Sequence, residues 1–111
     1  MITIYEEDWW EEKISKIKSE QKQFCDLAEK PELTLKESLW ASSYVATAPT
    51  VLYFAIKWAT TEKIKQDDQF CLSEIERVAP IIEKQIRKWK LDELKPSEYL
   101  QLCIEHQSWE L

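Results

Sequence analysis

Apolar residues recur along the chain at the three- and four-residue intervals of an α-helix. The first predicted helix runs from about Tyr5 to Glu29, and Pro31 ends it. Its apolar stripe has the spacing of a short heptad seam and comprises Trp10, Ile14, Ile17, Phe24 and Ala28, with Gln21 in the remaining position. The pattern predicts an amphipathic helix that packs one face on a core.

The sequence Thr34-x-x-Glu37 predicts the start of a second helix, because the two side chains can each accept a hydrogen bond from the other residue's free amide. Pro49 has no amide hydrogen, and its ring disfavours a helical conformation in the preceding residue. We therefore expect this helix to break near Ala48.

The third predicted helix extends from about Pro49 to Lys65 and is apolar on nearly every side. Between Glu37 and Glu62 the only formal charge is Lys57. A helix without a polar face has to be surrounded by other elements, so we expect this one to lie at the centre of the fold.

Polar residues then predict a loop at Asp67 and Asp68. A second capping sequence, Ser73-x-x-Glu76, predicts the start of the fourth helix, and a last helix is expected from about Pro96.

These elements predict an all-α fold, a compact bundle or array of about five helices with the Pro49–Lys65 helix at its centre. The chain has 111 residues, which is within the usual size of one domain. Residues 1–111 are therefore expected to form a single helical domain.

The chain contains no glycine. Glycine supplies the positive φ angles and the close backbone approach on which phosphate-binding loops depend. P-loop and dinucleotide-binding motifs are therefore excluded, and we expect no cofactor.

The formal net charge of −6 disfavours direct binding to nucleic acid or to an anionic membrane, since such proteins carry basic surfaces. The longest uncharged run, Ser38–Ile56, approaches the length of a membrane helix. Its hydroxyl side chains and Pro49 favour two buried helices instead of one bilayer segment.

Three widely spaced cysteines, Cys25, Cys71 and Cys103, suggest no disulfide framework, and the acidic N-terminus does not have the pattern of a signal peptide. We therefore expect reduced thiols and a cytoplasmic location. Cys103 and His106 share a helix face, but the other cysteines have no CxxC companion, so no metal site is expected. Nor is catalysis expected, because no third group orients His106.

The best candidate for a binding site is the acidic segment at the N-terminus. Adjacent Trp9 and Trp10 lie about 100° apart on a helix, so both cannot face one core. Trp10 continues the apolar stripe, whereas Trp9 does not, and an exposed tryptophan among carboxylates suits a basic, apolar partner. The alternative is that Trp9 covers a neighbouring helix and the acids only charge the helix start. The candidate partner-binding residues are Glu6, Glu7, Asp8, Trp9, Glu11, Glu12 and Trp109.

The chain has six tryptophans, and four of them, Trp10, Trp40, Trp58 and Trp89, fit the predicted core faces. A secondary basic face is predicted on the fourth helix, at Arg77, Lys84, Arg87 and Lys88. It is either a solvated surface, a site for phosphates or an acidic protein, or a contact for the acidic N-terminus of a second copy.

Together these features favour a small helical protein-interaction module of adaptor, escort or chaperone, inhibitor or immunity type. We expect it to bind another protein with a basic or apolar groove, and a homodimer is a further candidate. The alternative is an acidic inhibitor that mimics nucleic acid and occupies the basic groove of a nucleic-acid-binding protein. A small helical enzyme is the third reading.

Overall fold

In the computed structural model, which describes residues 7–106, the chain forms α-helices joined by short connections. The elements are α1 (Glu7–Leu27), α2 (Leu35–Trp58), α3 (Glu62–Arg87), a 3-10 turn (Leu91–Glu93) and α4 (Pro96–His106). The described residues contain no β-strand. The all-α prediction is confirmed, with four α-helices over residues 7–106 where about five were expected.

The first two helices form an antiparallel pair. The start of α1 meets the end of α2 through Trp10 and Trp58, whose ring centroids are 5.5 Å apart. Farther along, Phe24 stacks on Tyr44 at 4.5 Å. The connection is fixed by the predicted capping sequence at Thr34, whose hydroxyl oxygen accepts a hydrogen bond from the Glu37 amide at 3.1 Å.

The predicted break at Pro49 is wrong, because α2 continues through this residue to Trp58. A proline inside a helix loses one backbone hydrogen bond, and the packing of neighbouring turns can offset that loss. Here Ala48, Val51 and Leu52 are buried on either side of it. The helices predicted before and after Pro49 are therefore one element, and α2 as a whole packs on α1, α3 and α4.

By length and composition α2 is also apolar enough to cross a membrane, a test that the core helix of a globular protein also passes. In this fold its buried residues include Leu39 and Tyr44 as well as those around Pro49. Other residues of the same helix, Tyr53 and Trp58, are exposed.

The loop predicted at Asp67 and Asp68 is also wrong, because both residues lie within α3. Asp68 is fully buried, and its Oδ1 lies 2.5 Å from Nζ of Lys18 on α1. An aspartate normally indicates a turn because its side chain competes for backbone hydrogen bonds. At this position it instead faces a cation from a different helix.

The capping sequence at Ser73 does not start a helix. Its hydroxyl donates to the Gln69 carbonyl at 2.8 Å, one turn earlier in the same helix. The start of α3 lies upstream at Glu62, where the Thr61 hydroxyl oxygen accepts a hydrogen bond from the Ile64 amide at 3.3 Å.

The end of α3 returns to the connection between α1 and α2. The Gln85 side chain donates to the Lys30 carbonyl at 3.3 Å, and the Trp89 indole donates to the Leu33 carbonyl at 3.1 Å. Since the Lys18–Asp68 contact lies near the start of α3, these contacts show that α1 and α3 run parallel.

Two of the four tryptophans assigned to the core are instead substantially exposed. Trp10 and Trp40 are partly buried and pack against the core, as predicted. Trp58 is 43% exposed and Trp89 is 44% exposed. Both lie at helix ends, where a side chain has neighbours on fewer sides, so helical spacing alone overestimates their burial.

Candidate partner-binding surface

Five aromatic residues meet where the start of α1 packs on the end of α2. The ring centroids of Trp9 and Trp10 are 5.0 Å apart, and the two rings meet edge to face. Trp10 then contacts Trp58 at 5.5 Å, Trp58 contacts Phe54 at 5.7 Å, and Phe54 contacts Tyr53 at 5.4 Å. We call this continuous set of ring contacts the aromatic cluster.

The aromatic cluster is only partly buried within the molecule. Trp9, Trp10 and Phe54 are half-buried, whereas Tyr53 is 57% exposed and Trp58 is 43% exposed. Edge-to-face contacts of this kind stabilise ring positions beyond the area they bury. The cluster thus presents aromatic surface to solvent while its members hold one another in place.

Exposed carboxylates border the cluster on α1. The described acidic segment comprises Asp8, Glu11 and Glu12, whose side chains are exposed. They lie in the first turns of α1, where negative charge also stabilises the helix through its dipole. Of the other predicted residues, Glu7 is the first residue of α1, while Glu6 and Trp109 lie outside the described residues.

Lys13 lies one turn after Trp9 and contacts it. Its Nζ is 5.6 Å from the Trp9 ring centroid, within the range of a cation–π interaction. This contact holds Trp9 against its own helix, and its role in partner binding stays a prediction. Trp9 is partly covered by the domain and still borders the exposed part of the aromatic cluster.

One residue of the basic face, Arg77, forms an ion pair with Glu74 of the same helix, and the other three are exposed cations. The Arg77 guanidinium donates to both carboxylate oxygens of Glu74, at 2.9 and 3.4 Å. This pairing lowers the pKa of Glu74. Lys84, Arg87 and Lys88 are exposed near the end of α3. Because α1 and α3 are parallel, these cations and the acidic segment lie at opposite ends of the bundle.

The three cysteines are packed within the fold as free thiols. Cys71 and Cys103 are buried and Cys25 is half-buried, and desolvation raises the pKa of all three, that of Cys71 to about 11. A raised pKa keeps a thiol protonated at neutral pH and therefore weakly nucleophilic. Among the described residues, no three metal-binding side chains are grouped.

Sequence reasoning missed the contribution of Tyr53 and Trp58 to this surface. It placed Trp58 in the core because Trp58 belongs to the predicted central helix from Pro49 to Lys65. A signal was present at Ala59, Thr60 and Thr61, small and polar residues that follow the tryptophan and are typical of a helix end.

The surface is therefore defined by geometry: an exposed aromatic cluster, a bordering acidic segment and a distant set of cations. No known protein family, curated protein or solved structure matches this chain.

Proposed function

We propose that this chain is a helical protein-interaction module that binds another protein through the aromatic cluster and the acidic segment. The observation that supports this most strongly is the exposure of Trp58 and Tyr53 in a continuous aromatic surface. Tryptophan and tyrosine are enriched among the residues that contribute most to binding energy at protein interfaces. A binding role of this kind requires no cofactor and no catalytic group.

The partner surface that fits this site is apolar at its centre and basic at one edge. The apolar part would cover Trp58 and Tyr53, while lysine or arginine side chains would face the carboxylates of the acidic segment. Charge complementarity at the edge of an interface mainly increases the association rate and selects among partners. We place the module in the cytoplasm, where its cysteines remain reduced.

The test is affinity capture from an extract of the native host with wild-type protein and single variants. We expect Tyr53→Ser and Trp58→Ser each to reduce retention of the captured protein at least tenfold, because both remove an interface aromatic. Phe70→Ser is the matched control, since Phe70 is 66% exposed on α3 outside the aromatic cluster. Retention by this variant should equal that of wild type.

Circular dichroism and thermal unfolding of each variant separate loss of binding from loss of fold. Equal retention by folded Tyr53→Ser, Trp58→Ser and wild-type proteins would contradict the proposal.

If the chain instead mimics nucleic acid, the same capture assay should show a different response to salt and to the variants. A mimic depends on carboxylates, so its binding should collapse as salt shortens the Debye length to about 10 Å at 0.1 M. In that case Glu11→Gln with Glu12→Gln would abolish capture, and Tyr53→Ser would leave it intact. Under our proposal, capture survives moderate salt with only part of its affinity lost.

A further inference from the structure

The solvent side of α3 carries two exposed apolar residues on one face of the helix. Phe70 is the most exposed large apolar side chain of the described residues, and Ile81 is also exposed. They lie eleven residues apart, close to three full turns, so their directions around the helix axis differ by only about 20°. The other helices of residues 7–106 bury neither side chain, so this face is open to a second molecule.

Charged residues continue this face with successive spacings of three and four residues. Such heptad spacing places side chains on a stripe that a second helix can follow. Five of the six residues in the stripe are exposed, and Glu74 is half-buried. We call this stripe the α3 seam, and its residues are Asp67, Phe70, Glu74, Arg77, Ile81 and Lys84.

One antiparallel register of two copies sets every position of the α3 seam against a complementary residue. The three matched pairs, each between one copy and the other, are Phe70 with Ile81, Asp67 with Lys84, and Glu74 with Arg77. The first pair is apolar, the other two join opposite charges, and two-fold symmetry makes each pair occur twice. A parallel arrangement would instead set each charged residue against its own copy, so charge complementarity favours the antiparallel one.

Charge at the two ends of the molecule favours the same arrangement. The acidic segment lies at the end where α3 begins, and the exposed cations Lys84, Arg87 and Lys88 lie where α3 ends. Antiparallel copies therefore bring the acidic end of one molecule beside the basic end of the other. Within the seam, the next layer outward would set Lys63 against Lys88 of the second copy. This like-charge layer limits the favourable contact to the six seam positions, so the interface is small.

We propose that the α3 seam binds a second copy of this chain in antiparallel orientation and forms a weak, symmetric homodimer. Phe70 packs against Ile81 of the second copy, and the charged pairs on either side fix the register. The contact leaves the aromatic cluster free, because that cluster lies on α1 and α2. It therefore does not depend on the protein partner proposed above. At the dilution of the capture assay a dimer this weak dissociates, so Phe70→Ser remains a control there.

Sedimentation equilibrium of the full chain tests whether the dimer forms. Wild type should change from monomer toward dimer between micromolar and millimolar concentration, as expected of a small interface. Phe70→Ser and Ile81→Ser should each raise the dissociation constant by about tenfold or more, because by symmetry each substitution removes both apolar contacts. Both variants should keep the helical circular dichroism of wild type, since both side chains are exposed. A wild-type chain that stays monomeric at millimolar concentration would overturn the proposal.

The register is tested by exchanging the charges of one pair. Asp67→Lys and Lys84→Asp should each weaken the homodimer by about tenfold or more, because each sets like charges together in two symmetric layers. An equimolar mixture of these two variants should regain the dimer, since opposite charges then meet in both layers. The matched controls are Glu76→Lys and Lys36→Asp, which make the same charge changes at exposed positions outside the α3 seam. Each control should dimerise as wild type does.

Three further outcomes would also contradict the proposed dimer. An equal loss of dimer in the control variants would show that net charge alone governs association. A mixture of Asp67→Lys and Lys84→Asp that stays monomeric would exclude the antiparallel register. A monomeric wild type whose captured protein is lost with Phe70→Ser would assign this face to a different protein.

Discussion

Lys90 follows α3 in the left-handed region, with φ 54° and ψ 34°, although it carries a side chain. Its amide donates to the Arg87 carbonyl at 3.0 Å, and the left-handed conformation turns the chain that follows away from the helix. Glycine is favoured at such positions because a Cβ atom makes the left-handed region costly. We predict that Lys90→Gly raises the free energy of unfolding by about 0.5–1 kcal/mol in urea denaturation.

Lys88 provides the matched control for this substitution. It lies two residues earlier in a helical conformation, with φ −61° and ψ −27°. Lys88→Gly should lower the free energy of unfolding by about 0.5–1 kcal/mol, because glycine there only adds freedom to the unfolded chain. A change of the same sign in both variants would contradict the argument from backbone conformation.

The buried thiol of Cys71 makes the free energy of unfolding decrease with pH in the alkaline range. Burial raises the pKa of its thiol from the usual 9.0 to about 11. Between these values the unfolded chain loses the proton while the folded chain keeps it, so stability is full below pH 9 and falls as pH rises toward 11. Between pH 8 and 11, wild type should lose roughly 1–2 kcal/mol more free energy of unfolding than Cys71→Ala.

The Cys71→Ala comparison cancels the alkaline titrations of groups that do not interact with Cys71. Tyr44, whose pKa is raised by burial and then by the nearby Cys71, is coupled to it, so this coupling is part of the measured difference. Urea denaturation at each pH supplies the values. Identical pH slopes for the two proteins would show that Cys71 does not contribute.

Residue-level prediction from sequence succeeded where the interacting groups are close along the chain. The Thr34 capping sequence was predicted correctly because Glu37 is three residues away and Pro31 ends the preceding helix; the same pattern at Ser73, without such a break before it, lies inside α3. The role of Asp68 was not recognised, because its partner Lys18 is 50 residues away and no local pattern links them. Long-range pairing of charges is decided by packing, which a single sequence does not display.

Between elements, the buried Lys18–Asp68 pair joins α1 to α3. The Asp68 side chain is fully buried, whereas that of Lys18 is 36% exposed. Removing the lysine strands a buried negative charge, which we expect to cost roughly 3 kcal/mol in Lys18→Met. Removing the aspartate leaves an ammonium that can reach water, so Asp68→Leu should cost only about 1–2 kcal/mol.

A double-mutant cycle measures this coupling by urea denaturation. The Lys18→Met, Asp68→Leu double variant should be more stable than Lys18→Met alone, because no buried charge remains. The control is the solvent-exposed pair of Lys22 and Asp26, 3.0 Å apart. Lys22→Met should cost much less than Lys18→Met, because water screens an exposed pair. If Lys18→Met costs no more than Lys22→Met, the Lys18–Asp68 pair does not stabilise the contact between α1 and α3.

The boundary at Thr34 was predicted correctly from its capping sequence, whereas the boundaries predicted at Ser73 and Pro49 were wrong. Pro49 predicts a break on local grounds, yet the buried side chains of α2 lie on both sides of it and hold the helix together. The position of Trp58 failed for a related reason, because a central helix was expected to bury all its apolar residues. Burial depends on how far neighbouring helices extend, and sequence periodicity does not report that distance.

At the scale of the whole molecule, the helices are held with unequal strength. α2 contacts all three other helices, whereas α4 packs mainly on α2. Cys103 is the only fully buried residue of α4 over its described range. The Tyr99 hydroxyl adds a hydrogen bond to the Leu39 carbonyl at 3.2 Å. The most extensively packed pair is α2 with α3, and Tyr53, Phe54 and Trp58 of the aromatic cluster lie on α2, which suits a surface that has to keep its shape.

This difference predicts an order of local opening that native-state hydrogen exchange can measure. Amides in the middle of α2 should be the slowest, and those of α4 should exchange at least tenfold faster, because few buried contacts oppose the opening of α4. Tyr99→Phe removes the hydrogen bond to Leu39 and should accelerate α4 by about fivefold or more, the effect of roughly 1 kcal/mol. Tyr53→Phe, on the exposed side of α2, is the control and should leave the exchange of α4 unchanged. Equal protection of α2 and α4 would show that the bundle opens only as a unit, and the aromatic surface would then gain no rigidity from the position of Tyr53, Phe54 and Trp58 on α2.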